Sequence, residues 1–139
     1  MNKVLGALCL IHCQTIDSQR GICDGTKECP YRLKIHTKLQ QTYLEISESG
    51  IIVDAMLSCN PARQNILVFM ASVMGADFLA MQYNFLQYVI DGNWSKAAWE
   101  VEHSSWGREN NTLATYCSNV MKLGIWPLPS DLDALISTK

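Results

Sequence analysis

Apolar residues return every three to four positions along most of this chain, the period of a helix packed on one side. Lys3 to about Thr15 is apolar on most of its surface and predicts a first helix, ended or re-capped by Asp17-Ser18. From Tyr31 to Glu48 the residues Leu33, His36, Leu39, Gln40, Tyr43 and Ile46 or Ser47 fall on one face. Lys34, Lys38, Gln41 and Glu45 take the wet side, and Gly50 is expected as the C-cap. Ile51–Ser58 predicts a helical turn or two. Asn60 then caps a helix that Pro61 begins, where a missing N–H does no harm. With Ile66, Leu67, Phe69, Met70, Val73 and Met74, that helix is apolar nearly all round and belongs at the centre of a bundle. Gly75 ends it.

Ala76–Ile90 predicts one further helix, with Phe78, Leu79, Met81, Phe85, Leu86, Tyr88 and Val89, and Asp91-Gly92-Asn93 is its turn. Ser95 is expected to cap a helix holding Ala97, Ala98, Trp99 and Val101. Thr112–Lys122 places Leu113, Tyr116, Cys117, Val120 and Met121 inward, with Gly124 as C-cap. Pro127 and Pro129 forbid continuation, and Ser130-Asp131 caps a last helix from Leu132 to Ile136. The only strand signal is Asp24-Gly25, which would close a short hairpin near residues 20–30. The pattern predicts an all-α fold of six to eight helices.

At 139 residues, without repeat or linker, the chain is expected to form a single domain, 1–139, with a core of its own. Apolar residues make up 48% and charged residues 17%, which excludes a disordered chain. The net charge is −2 and no basic run occurs, so no nucleic-acid face is expected.

Four of the six cysteines, Cys9, Cys13, Cys23 and Cys29, lie in the first 29 residues. This clustering suits an oxidising compartment, with Cys23 or Cys29 paired to Cys9 or Cys13. Cys59 and Cys117 read as small core residues. No paired Cys-x-x-Cys points to zinc, and neither a metal nor another cofactor is expected. The apolar run Val4–Ile11 is too short to span a membrane and reads as part of a buried helix rather than a secretion signal.

Several positions recur in fixed order: Pro61-Ala62-Arg63-Gln64, Ile66-Leu67 with Phe69, Gly92-x-Trp94-x-x-Ala97-Ala98, Ser104-x-Trp106 and Gly124-x-Trp126. Over residues 58–127 the chain resembles the C-terminal lobe of phage-type lysozymes, glycoside hydrolase family 24. The resemblance makes Arg63, Phe69, Trp94, Trp106 and Trp126 a fold signature. It divides the chain into a reduced, cysteine-rich part, 1–59, and a lysozyme-like helical lobe, 60–139. It implies that this lobe forms the floor and one wall of a glycan cleft. The tryptophans themselves are apolar plates burying on the order of 200 Å² each, and core packing accounts for most of the matched positions.

The acid that the family requires does not carry over. The resemblance implies a Glu at the end of the first helix, an Asp or Cys nine positions on and a Thr six further, within a Gly-rich hairpin. One register puts Cys13 where the Glu should stand, with Cys23 and Thr26 as loose echoes. A thiol protonates a glycosidic oxygen poorly. A second register uses Glu28, but Thr37 and Tyr43 then occupy the other two places. Glu45 with Asp54 has the spacing but leaves no room for a hairpin, and Glu48 is part of a solvated helix end. His12, His36 and His103 are scattered and form no triad.

The leading expectation is a lysozyme-like protein with degenerate catalytic residues that binds a peptidoglycan glycan strand or a protein partner. The alternative is an active muramidase with Glu28 as general acid. The third is an unrelated helical partner-binding protein, which an exposed apolar patch at Ile51, Ile52 and Val53 would favour. The expected location is extracytoplasmic, on the periplasmic or cell-wall side, or phage-associated, with the cytoplasm as the other option.

Overall fold

The computed structural model describes residues 32–126, with side chains from Ile35 onward. The expected N-terminal helix and hairpin, Glu28 and the four clustered cysteines lie outside these residues, as does the helix expected after Pro129. The described residues form eight helices and no strand. They are α1 (Arg32–Ser47), α2 (Gly50–Leu57), α3 (Pro61–Met74), α4 (Ala76–Ala80), α5 (Tyr83–Ile90), α6 (Trp94–His103), α7 (Ser105–Glu109) and α8 (Asn111–Leu123).

The central helix is α3, as its all-round apolar pattern predicts. Every residue from Ile66 to Ser72 is buried, and the helix touches α1, α2, α4 and α8. The buried hydroxyl of Ser72 is satisfied by the Val68 carbonyl at 3.0 Å. The start of α3 also follows the sequence: the Asn60 side chain accepts from the Arg63 N–H at 2.9 Å, and Pro61 occupies the first turn. The most extensive helix pairing is α6 against α8. It buries Ala97, Ala98 and Val101 from one side and Ala114, Cys117, Val120 and Met121 from the other, and small alanines let the axes approach.

Several local expectations change. In α1 the buried stripe is Ile35, Leu39, Thr42 and Ile46. Gln40 and Ser47 are exposed, and His36 and Tyr43 are half-buried. Thr42 tolerates burial because its hydroxyl donates to the Lys38 carbonyl at 3.1 Å. Gly50 is not a C-cap. The N–H groups of Glu48 and Ser49 close α1 onto the carbonyls of Glu45 and Ile46, and Gly50 is the first residue of α2.

The helix expected over Ala76–Ile90 is broken at Met81-Gln82. Gln82 leaves helical geometry, its N–H turns to the Leu79 carbonyl, and its side chain donates to the Phe78 carbonyl at 3.3 Å. Leu79 and Leu86, on either side of the break, are both buried. Met81, counted among the apolar residues of the single expected helix, lies at the break and is 76% exposed. Asn93, not Ser95, caps α6, and Ser104 caps the additional short helix α7. Ile52 is wholly buried while Ile51 and Val53 are half-buried, so these three residues form no exposed patch.

Candidate functional site

Arg63 stands in the first turn of α3, where its side chain reaches the far end of α8. Its Nε donates to the Met121 carbonyl at 2.7 Å and its Nη2 to the Lys122 carbonyl at 3.2 Å. The Asn60 side chain, besides capping α3, donates to the Gly124 carbonyl at 3.0 Å. The last carbonyls of a helix have no partner within it and carry the negative end of its dipole. Here a cation and an amide from α3 supply what α8 lacks.

The central carbon of the same guanidinium lies 4.0 Å from the centre of the Trp94 ring, at the start of α6. Gly124 closes the arrangement in the left-handed conformation, φ +71°. A Cβ there would come within 2.9 Å of the guanidinium. Three helices thus meet on one side chain.

Beside this junction runs an aromatic ladder. Phe69 meets Tyr116 edge-on at 5.4 Å between ring centres, and Tyr116 meets Trp126 edge-on at 5.8 Å. Phe69 and Tyr116 are buried in the core and Trp126 covers them from outside. Trp106 marks another junction, on α7. Its indole is partly buried against the core, and its carbonyl accepts from the Asn110 N–H and side chain.

Compared with known proteins, the chain matches no family model and no curated sequence.

Four of the five signature residues, Arg63, Trp94, Phe69 and Trp126, therefore belong to the packing between α3, α6 and α8. Their chemistry is structural. The guanidinium is engaged by the carbonyls of Met121 and Lys122 and by the Trp94 indole, and the Cys59 thiol lies near enough to feel its charge. That thiol is half-buried and donates to the Ala55 carbonyl at 3.3 Å. Burial pushes its pKa up to about 11, and the nearby Arg63 charge pulls it back only in part. Cys117 is wholly buried, and burial drives its thiol far above the ordinary range. Both cysteines are free. Cys117 is inaccessible and Cys59, although beside a cation, keeps a raised pKa, so neither is a reactive thiolate.

Glu45, Glu48, Asp54, Asp77, Asp91, Glu102 and Glu109 are exposed, and Glu100 is half-buried. A glycosidase acid is ordinarily held in an apolar recess that keeps its proton on near neutral pH. Glu45 and Asp54 have no such recess. Glu28 and Cys13 lie outside the described residues. Among the described residues no group of His, Cys, Asp and Glu could hold a metal ion, and no helix is long and apolar enough to cross a membrane.

Sequence reasoning missed two features of this region. Gly107 is buried where α7 turns back on α6, and a Cβ on it would collide with the Val101 carbonyl oxygen. Its one local signal is Ser104, which caps the Gly107 N–H at 2.9 Å. The second is the pair Trp99 and His103, spaced four apart on α6, whose rings stack 4.2 Å apart and within 15° of parallel.

Proposed function

We propose that this chain is a lysozyme-like helical protein that binds a peptidoglycan glycan strand without cleaving it. The observation that carries the scaffold side of the reading is the junction of Arg63, Trp94 and Gly124. Residues picked out by the resemblance, far apart in sequence, act together as one packing unit, as expected of positions kept for a common scaffold. The lack of a family-like acid, Asp and Thr in the sequence supports binding over hydrolysis. So does the exposure of the carboxylates on α1, α2 and α4. Fold alone does not fix function, so the support for a glycan ligand is the resemblance itself.

The test pairs two measurements on the full chain. Sedimentation with insoluble peptidoglycan should carry the protein into the pellet, and a peptidoglycan suspension should stay turbid from about pH 4 to about pH 8. Clearing of the suspension that is lost in Glu28→Gln would replace this reading by an active muramidase. Failure to sediment would remove the glycan and leave a protein partner as the ligand class.

A further inference from the structure

Trp99 is the large aromatic residue that the packing of α6 leaves unused. It is 57% exposed, while Ala97, Ala98 and Val101 on the same helix are buried against the core. A single exposed apolar side chain ordinarily needs no explanation. This one differs because its ring is held. The imidazole of His103 stacks flat on it at 4.2 Å, and the His103 ring is itself fixed by Nδ1, 2.8 Å from the Trp99 carbonyl oxygen. Arg108 steadies the same segment by donating to the His103 carbonyl at 3.4 Å. One face of the indole is therefore covered by the imidazole, while more than half of the side chain stays exposed. Most of the ordering cost that binding exacts from a free side chain is met in advance.

The surroundings say what kind of ligand suits this plate. On a helix the neighbours of a residue are those three and four positions away. For Trp99 these are Ser95, Lys96, Glu102 and His103, all exposed and all polar, with the Lys96 ammonium 5.7 Å from the Tyr88 ring centre. A protein hot spot is an anchor ringed by contacts that exclude water. Trp99 instead offers a bare apolar plate with hydrogen-bonding groups at its rim. A pyranose ring has the matching form: one flat face of C–H groups, edged by hydroxyls and amides.

We infer that the free face of Trp99 is a docking plate for the C–H face of a pyranose ring in a glycan strand, with His103 as the residue that positions it. This rests on the glycan-binding reading above.

The test uses a soluble N-acetylglucosamine trisaccharide and insoluble peptidoglycan, each with the full chain. Titration with the trisaccharide should shift the Trp99 indole N–H resonance saturably, identified by its absence in Trp99→Phe, and leave the indole signals of Trp94 and Trp106 in place. Trp99→Ala should weaken retention on peptidoglycan about tenfold, equivalent to about 1.4 kcal/mol, without lowering the melting temperature. His103→Ala should weaken it several-fold, because the plate is freed but not removed. If wild-type protein sediments with peptidoglycan and Trp99→Ala sediments equally well, the docking plate is overturned and the glycan reading stands. If wild-type protein does not sediment at all, both fall together.

Discussion

The guanidinium of Arg63 lies over the indole of Trp94 while its N–H groups bind the carbonyls of Met121 and Lys122. One side chain thus serves as C-cap for α8, counter-charge for that helix's dipole and cation over an aromatic face. Hydrogen bonds from a charged donor contribute about 1.5–3 kcal/mol, and a cation over an indole adds about 0.5–1 kcal/mol. Arg63→Ala should therefore lower stability by about 3 kcal/mol in denaturant titration. Arg63→Lys should recover less than half of that loss, because an ammonium keeps the charge but not the planar fork.

Gly124 should be intolerant for two separable reasons. Its φ of +71° costs an L-residue about 1–2 kcal/mol, and a Cβ would also press on the pinned guanidinium. Gly124→Ala in the wild-type background should lose more stability than Gly124→Ala in an Arg63→Ala background, where only the backbone term remains. A double-mutant cycle measures the difference, and strict additivity would contradict the contact.

Gly107→Ala should be at least as damaging. The atoms that its Cβ would meet are the carbonyl oxygens of Val101 and Glu102, which are backbone and cannot rotate away. Relief requires α7 to shift from α6. The expected loss is about 3 kcal/mol by thermal or chemical unfolding, the upper end of an overpacking penalty.

Alkaline pH should destabilise the fold through Cys59. In the unfolded chain this thiol titrates near 9, but burial raises it to about 11 in the native protein. Stability is unaffected below about pH 9. Between about pH 9 and about pH 11 the unfolded chain gives up a proton that the native protein retains, so stability falls as pH rises. Cys117 and Tyr116 act in the same direction, because burial raises both. Cys59→Ser should make the decline of unfolding free energy over this range shallower. An unchanged slope would show that Cys59 is not responsible.

What the sequence made legible is what is decided locally. Asn60-Pro61, Gly75 and Gly124 mark helix ends through cap chemistry that needs no knowledge of the fold. The burial of α3 follows from its apolar residues on every side. The break at Met81-Gln82 was not legible, because no proline or glycine stands there and the apolar period runs on through it. The inward face of α1 was misjudged because Thr42 satisfies its own hydroxyl and so can be buried, whereas His36 and Gln40 remain partly or wholly in water. For the candidate site, Arg63, Phe69, Trp94 and Trp126 could be singled out, but not what they touch. Trp94 reads as an apolar plate in sequence, and the cation that lies over it is 31 positions away. The Trp99–His103 stack was within reach, since the two stand four apart on a helix, but each was weighed alone.

The contacts that Asn60 and Arg63 make with Gly124, Met121 and Lys122 join residues 58 to 64 positions apart. Such contacts form only after the intervening chain has collapsed, since closing so long a loop early costs entropy before anything is gained. The junction is thus a latch rather than a nucleus. In stopped-flow experiments Arg63→Ala should leave the folding rate nearly unchanged and speed unfolding, so that its loss of stability appears almost wholly in the unfolding arm. The latch thus sets how long the native state persists once formed, while the speed at which it forms is governed by contacts elsewhere in the bundle.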